Sequence, residues 1–565
     1  MSGNDEIILG IDLGTTFSAM AFVDRFGKPN IIPNADGYTT TPSVVHFYDK
    51  DACVVGEEAV KMVVVDPTNV VRFIKRNMGD NDFALDFFGR SYTPQELSAF
   101  ILTKLRQDAE EALGKEIKDV VITVPAYFNS AQRGATAEAG AIAGLNVLSI
   151  INEPTAAAIY YGLEQLGGHR RLMVFDLGGG TFDVTVMEIQ GNDLRTLASD
   201  GNAELGGKDW DDRLLSHVAD QFRDKFGLDP RDDPQPYQEL YERCLHAKIA
   251  LSSKPRAVIP VNYRGHRMVV SVTREQFQTL CDDLLQQCKD TCQIVLEKAG
   301  LSWSNIDDVL AVGGSTRMPM IRDMLRGLSS KEEAQVGNPE ECVCLGAALA
   351  AVFRHQPTHP ALQAHRSLLA QRAQAVQEAL DGSDEANVPD LAAVGPDSGV
   401  GTLELDQGDV VPIHSEEEVL GGLPGVRITD AATHPLGIVV LDANHRERIV
   451  NLIPESTPLP YEKRGRFAYA YDNMTAVRVE VTEGHGSDRQ EVTVIGQVIL
   501  DKLPPRPRGT PIDVIYRYNV NNILEVDIID VETAKSRGAQ LDLKGALSKH
   551  QLEEARAAVG RATVS

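Results

Sequence analysis

Two short stretches bring together the residue types that grip an anion. IDLGTT places Asp12, Gly14, Thr15 and Thr16 between two alternating apolar runs, the second opening at Phe17. DLGGGTFD repeats the arrangement with Asp176, Gly178, Gly179, Gly180, Thr181 and Asp183. Glycines let backbone N–H groups approach phosphate oxygens without a Cβ in the way, and threonine hydroxyls add donors. An aspartate at a strand end repels phosphate, but it can orient waters on a divalent cation that bridges phosphates. Metal binding through water is therefore expected of Asp12 and Asp176. Two such turns facing each other would hold a triphosphate from opposite sides. A third turn, VGGSTRMP, ends a strand with Gly313 and Gly314. Ser315 and Thr316 are expected to cap the following helix, whose N-terminus would present free N–H groups to an anion. Arg317 is placed to lie against an aromatic base. One Asp-Leu-Gly turn is commonplace; two copies followed by the third turn, in this order, point to a nucleotide. The sequence carries no GxxxxGK[ST], HExxH, GxSxG or CxxC pattern.

The elements that must position these turns alternate in type. Residues 7–50 read as a β meander, followed by a helical pattern, PQELSAFILTKLRQDAEEAL. The strand DVVITVP and the helix SAQRGATAEAGAIAGL lead to a second meander at LMVFDLGGGTFDVTVMEI. Helical patterns cover roughly 209–252 and 274–299, and the unit closes near Phe353. This is an α/β architecture. Leu362, Leu369, Ala373, Val376 and Leu380 lie on one face of a further amphipathic helix. Between Ala373 and Val426 there is no Lys or Arg but there are twelve Asp or Glu, which predicts a flexible acidic linker. From Arg427 to about Leu543, short alternating runs such as GIVVL, RFAYAY and DVIYRYNV predict an all-β sandwich. One short helix, HQLEEARAAVG, follows.

Composition excludes several classes. With 565 residues, several folding units are expected. A formal net charge of −26 argues against binding nucleic acid or a membrane surface, which needs a positive field. No apolar run reaches the roughly 18 residues of a membrane-spanning helix. The start, MSGNDEIILG, lacks the features of a secretory signal, so a cytoplasmic protein is expected. Seven scattered cysteines suggest no disulfide framework; Cys281, Cys288 and Cys292 share a helix face and read as small buried residues rather than metal ligands.

GIDLGTTFSAM, VPAYFNSAQRGAT, IINEPTAAAIYYGL, VFDLGGGTFDVTV, LGGKDWDDRL and VGGSTRMP together closely resemble the heat-shock protein 70 chaperones. The resemblance is strong over about 5–353 and looser over 427–545. It implies an actin-like, two-lobed ATPase unit over 5–355, with lobes at about 5–170 and 171–355. Residues 356–426 would be helix and linker, 427–545 a substrate-binding β-sandwich, and 546–565 a truncated C-terminal helix. It implies ATP/ADP, Mg²⁺ and K⁺ as cofactors, with Asp183 joining Asp12 and Asp176 in holding the metal through water. Lys75 and Glu153 would position the attacking water, with Asp176, Thr181 and Asp183 completing the catalytic set. Gly206, Gly207, Lys248 and Ser252 would hold the rest of the nucleotide, and Pro125 and Arg133 would relay its state to the rear domain. Ile438, Val440, Phe467, Val477 and Val479 would line an apolar peptide pocket under an arch of Leu441 and Ala470. The implied partners are unfolded or extended polypeptides, a J-domain co-chaperone and a nucleotide exchange factor.

The chain departs from the family pattern in four places. Leu245 stands where a glutamate usually meets the ribose, a loss expected to cost about 1–2 kcal/mol of nucleotide affinity. Ser149 replaces the arginine before IINEPT, Glu340 an aspartate, and the short leucine-rich linker is absent. The peptide unit also inserts DANHRERIVN beside the expected arch, and little lid helix follows. Slow ATP hydrolysis with linked peptide release is the expected function. The alternative is an ATP-binding co-chaperone or scaffold with weak or uncoupled hydrolysis.

Overall fold

The computed structural model describes residues 7–162, 168–191, 193–331, 338–355, 427–442, 446–520, 523–534, 536–540 and 547–565. The expected amphipathic helix and acidic linker over 356–426 lie outside them.

Two sheets of similar topology frame the front of the molecule. In the first, the meander Ile8–Asp12, Phe17–Val23 and Pro29–Ile31 is extended in parallel by Asp119–Val124 and Asn146–Asn152. In the second, the meander His169–Leu177, Phe182–Gln190 and Asp193–Asn202 is extended in parallel by Asp308–Val312. The internal repeat read from the Asp-Leu-Gly turns is thus a repeat of whole sheets. Asp12 pairs in register with Thr123, and Asp176 with Val312, so each aspartate sits at the end of a central strand.

The helix Cys342–His355, CVCLGAALAAVFRH, packs between the sheets. Its small residues permit the approach: a Cβ on Gly346 would stand 1.8 Å from the carbonyl oxygen of Ala156. The helical stretch expected over 209–252 is two helices, Gly207–Phe226 and Pro234–Ser253. That expected over 274–299 divides at Cys281 into Arg274–Leu280 and Asp282–Lys298. A hairpin, Arg256–Tyr263 with His266–Thr273, stands between these pairs. Cys281, Cys288 and Cys292 are buried among apolar side chains of the second lobe, as small core residues.

Behind lies the sandwich. One sheet orders Glu447–Ile453, Leu436–Leu441, Val477–Glu483 and Thr493–Leu500; the other orders Tyr461–Ala468, Pro511–Tyr518, Leu524–Asp530 and Ser536–Gln540. Leu436, Ile453, Val481, Tyr516 and Val526 fill its core. The Tyr516 hydroxyl donates across the core to the Gly437 carbonyl at 2.8 Å, satisfying a polar tip among apolar neighbours.

The sandwich is fastened to the lobes. Arg427–Thr429 adds a parallel strand beside Asp193–Arg195 at the edge of the second lobe's sheet. The buried Asp430 then accepts from Thr155 at 2.7 Å and Thr196 at 3.2 Å. Glu483 accepts from the backbone N–H of Ser130 at 3.0 Å, at the N-terminus of the helix Ser130–Ile142, where a carboxylate also meets the favourable end of the helix dipole. Lys298 bridges Asp200 and Glu455. The C-terminal helix Lys549–Val559, capped by Ser548, buries Ala555 and Val559 against the first lobe, and Thr563–Val564 pairs with Ala52–Cys53.

Candidate nucleotide cleft

The two glycine turns meet between the lobes. A Cβ on Gly179 would stand 1.7 Å from Thr16 Oγ1, and one on Gly180 2.2 Å from Thr15 Cγ2. Only glycine allows the loops this proximity. The carbonyl of Gly178 accepts from the Gly207 N–H at 3.0 Å and from the Ser315 hydroxyl at 2.8 Å, so the second and third turns and the start of the helix Gly207–Phe226 share one anchor. Thr16 Oγ1 is buried without a hydrogen-bond partner, as a donor awaiting an anion would be.

Ser315 and Thr316 do not cap the next helix. Residues Gly314–Arg317 form a single 3₁₀ turn, the Thr316 hydroxyl donates back to the Gly313 carbonyl at 2.7 Å, and Met318 takes the cap position of Pro319–Ser329. The Thr316 hydroxyl serves the turn itself, because the tight 3₁₀ geometry brings a carbonyl within its reach, and the Ser315 hydroxyl is taken up by Gly178 of the second turn.

Between the turns lies a concentration of charge. Lys75 Nζ meets Glu153 Oε1 at 2.5 Å, and both side chains are buried. Asp12 and Asp176 line the same space, and Asp183 pairs in register with Asp176 on the neighbouring strand. Burial, reinforced by Glu153, pushes the Asp12 and Asp183 carboxyls up to about 7. Asp176 is raised well above the usual range by burial and by Glu153, Asp183 and Asp12 together. Burial opposes the charge on Lys75, but Glu153, Asp12 and Asp176 outweigh it and hold the ammonium above its ordinary value. Four carboxylates thus face one ammonium, the excess of negative charge that a divalent cation neutralises. Among the described residues no three side chains of the metal-binding types converge to bind an ion directly. A cation held through water and phosphate oxygens fits this donor set.

The cleft has a volume of about 510 Å³. Its far end is formed by Leu245, Lys248, Ile249 and Ser252 on one side and by Arg317 and Glu340 on the other. Lys248 donates to the Gly207 carbonyl at 2.7 Å and to Asp211 at 2.8 Å. Arg317 is held by Asn338 at 2.9 Å, its flat guanidinium half-exposed at the rim. Ile249 is 59% exposed, an apolar face open to the cleft. Leu245 presents no hydrogen-bond acceptor, the consequence expected from sequence.

Sequence reasoning missed Arg76, which donates to the Gly180 carbonyl at 2.8 Å and pairs with Asp209 at 2.5 Å. It also missed Thr123, which donates to Asp12 at 3.0 Å. Arg76 adjoins Lys75 in FIKRNMGD, and that adjacency was its one signal. Thr123 carries none, because only strand pairing brings it to Asp12.

Arg133 is buried and donates to the carbonyls of Phe128 and Ala126 at 2.9 Å and to Asn152 at 2.7 Å. Phe128 N–H in turn reaches the Pro125 carbonyl at 3.2 Å. Tyr127 N–H donates to Asp183 at 2.9 Å, while its carbonyl accepts from His434 of the sandwich at 3.1 Å. A continuous set of contacts therefore leads from the cleft to the rear unit. In that unit, Ile438 and Val479 are buried in the sandwich core, and Val440, Phe467 and Val477 pack partly buried against it. Phe467 lies on the sheet opposite the other four. Leu441 is exposed and Ala470 half-buried.

Two lobes with repeated sheets, closing glycine turns around a buried acidic centre, define a nucleotide-dependent phosphotransferase or hydrolase of the actin-like class. The family model described as Hsp70 protein matches residues 8–88, 80–360 and 418–561. A protein named Chaperone protein DnaK from Thermotoga neapolitana is 36% identical over 562 residues, which is 98% of this chain and 83% of the relative. The protein of the same name from Thermosipho melanesiensis is 35% identical over 561 residues, again 98% of this chain and 83% of the relative. The chain belongs to the Hsp70 family. It is an ATP-hydrolysing chaperone of that type, with actin-like ATPase lobes and a β-sandwich substrate-binding domain.

Proposed function

We propose that the cleft hydrolyses ATP with Lys75 and Glu153 positioning the attacking water and with Asp12, Asp176 and Asp183 orienting the water shell of Mg²⁺. The observation that carries this is the buried Lys75–Glu153 pair, set among three aspartates where the two glycine turns meet. Mg²⁺, when bound, supplies neutralisation of the phosphates and polarisation of the transferred group. Gly14, Thr15, Thr16, Phe17 and Gly178–Thr181 hold the phosphates; Gly206, Gly207, Lys248, Ser252, Gly313, Gly314, Ser315 and Arg317 hold sugar and base. Lys75 keeps a positive charge beside the γ-phosphate, and Glu153 keeps that ammonium oriented and can accept a hydrogen bond from water. K⁺ supplements the cation site, by family resemblance.

The ATPase unit spans 5–355 and the substrate unit 427–545. Ile438, Val440, Phe467, Val477 and Val479, beneath Leu441 and Ala470, receive extended apolar segments of unfolded polypeptides, with backbone pairing for affinity. Opening this pocket requires the buried pair Ile438 and Val479 to part from the core. Nucleotide state reaches the sandwich through Pro125, Arg133 and Tyr127, ending at Glu483 and His434. The direct Tyr127 N–H to Asp183 bond and Tyr127 carbonyl to His434 bond support this route. The partners are unfolded polypeptides, a J-domain co-chaperone and a nucleotide exchange factor, and the site of action is cytoplasmic.

Single-turnover ATP hydrolysis with and without a short leucine-rich peptide tests the reading. Acceleration by peptide is expected. Hydrolysis indifferent to a peptide that binds would leave an uncoupled ATPase, and the proposed route would fail.

A further inference from the structure

The wall of the cleft that carries Lys248 is one face of the helix Pro234–Ser253. Tyr241, Leu245, Lys248, Ile249 and Ser252 recur there at helical spacing, and all of them line the nucleotide space. The glycine turns fix the phosphates at one end of that space. The flat Arg317 guanidinium and the exposed Ile249 side chain suit the two faces of a base at the other. The sugar must lie between, against Leu245 and Lys248.

The polar groups of this wall give hydrogen bonds but take none from the cleft. Lys248 is an ammonium, with three N–H donors and no acceptor. Two of its donors are engaged, by the Gly207 carbonyl at 2.7 Å and by Asp211 Oδ2 at 2.8 Å. One remains for the sugar. The nearby carboxylate of Asp211 is committed elsewhere: its Oδ2 also receives the Tyr241 hydroxyl at 3.4 Å, and its Oδ1 is buried beneath the surface. The Gly207 carbonyl is already taken by Lys248. Ser252 lies a full turn beyond Lys248, past Ile249 and so beside the base. Leu245 offers only methyl groups. Among the described residues of this wall, a ribose hydroxyl therefore finds a donor but no acceptor for its own proton.

We propose that the cleft reads phosphate and base but not the sugar hydroxyls, so that it takes 2′-deoxy and 3′-deoxy adenine nucleotides as readily as ADP and ATP. The reason is an asymmetry in hydrogen bonding. A site built to bond a hydroxyl is left with unpaired polar groups when that hydroxyl is missing, and it rejects the deoxy analogue strongly; an apolar wall is left with none. The one remaining Lys248 donor can be met by either of the two vicinal hydroxyl oxygens, so removal of one leaves the other for it. The hydroxyl that faces Leu245 gives up water without gaining a partner, and its loss costs nothing. The inference rests on the nucleotide reading of the cleft and names the class of nucleotide that the cleft admits.

Isothermal titration calorimetry of the full chain with Mg²⁺ and ADP, 2′-deoxyADP or 3′-deoxyADP tests it. The three dissociation constants should agree within about three-fold, and single-turnover hydrolysis of 2′-deoxyATP should match that of ATP within about the same range. Leu245→Glu supplies the missing acceptor. It should tighten ADP and leave at least one deoxy analogue behind by about ten-fold or more, the range for a hydrogen bond to a charged group. Leu245→Gln carries an uncharged acceptor of the same length; it should give the same order with a smaller ratio, and it serves if the glutamate disturbs the fold. Wild-type discrimination beyond the three-fold range against either analogue would overturn the inference, because it requires an acceptor that this wall lacks. Equal binding of all three ligands by both Leu245 variants would overturn it as well, by placing the sugar elsewhere. Failure of the wild type to bind ADP at all would overturn the nucleotide reading instead.

Discussion

Lys75→Ala removes the one ammonium among four carboxylates, and the structure sets the size of the effect. An exposed ion pair would be worth about 0–1 kcal/mol. The side chains of Lys75 and Glu153 are only 6% and 9% exposed, so loss of one partner leaves a buried uncompensated charge, at about 3–5 kcal/mol. Part of that cost is relieved by protonation. Asp12 and Asp183 titrate at about 7 even with Lys75 holding them down, so the variant cleft should take up a proton near neutral pH. The fold should therefore survive, with a lowered melting temperature. Chemistry has no such relief, since removal of a donor aimed at developing charge typically costs about 10²–10³ in rate. Single-turnover hydrolysis should fall by at least about 100-fold, while affinity for Mg²⁺-ADP changes by less than about ten-fold. Turnover equal to wild type would refute the role of Lys75. Affinity and turnover falling together, in step with stability, would reduce Lys75 to a structural residue.

Three further outcomes follow from single contacts. Gly179→Ala sets a methyl group within 1.7 Å of Thr16 Oγ1, so the two turns cannot meet; ATP affinity by calorimetry should fall by more than about ten-fold while the sandwich melts as before. Leu245→Glu restores an acceptor at the sugar end, and ADP should bind about five- to thirty-fold more tightly, matching about 1–2 kcal/mol; unchanged affinity would place the sugar elsewhere. Asp513 is fully buried by surface area, and hydrogen bonds from Arg466 and Arg464 outweigh its partial desolvation and hold its carboxyl below the usual range. Because the folded value is lowered, its contribution is complete above the unfolded value near 3.8 and disappears as pH falls through the folded one. Asp513→Asn should therefore destabilise the protein at pH 7 by about 2 kcal/mol, and the difference from wild type should shrink below pH 4 in acid denaturation followed by circular dichroism.

Periodicity and turn chemistry carried the α/β order, the two glycine turns and the short strands of the sandwich, because those depend on neighbours in sequence. The paired sheets were visible as a repeat of Asp-Leu-Gly, since each turn needs its own glycines whatever surrounds it. Helix breaks were less legible: the stretch over 274–299 reads as one helix, and the division at Cys281 follows from packing, where a buried Cys281 ends one helix and starts the next. The caps assigned to Ser315 and Thr316 failed for a related reason. Their residue types suit a cap, but their partners, Gly178 and Gly313, were decided by the way the turns come together.

The sequence by itself determined which residues could hold phosphate and metal-bound water, because glycine, threonine and aspartate act through local backbone and side-chain chemistry. Tertiary structure alone decided who meets whom. Thr123 at Asp12, Arg76 at Gly180, and Glu483 at the N-terminus of a helix far away in sequence are all products of strand pairing and lobe closure. The physical reason is range. Propensity and spacing act over a few residues, whereas a charge is stabilised by whatever the fold brings within a few ångströms of it.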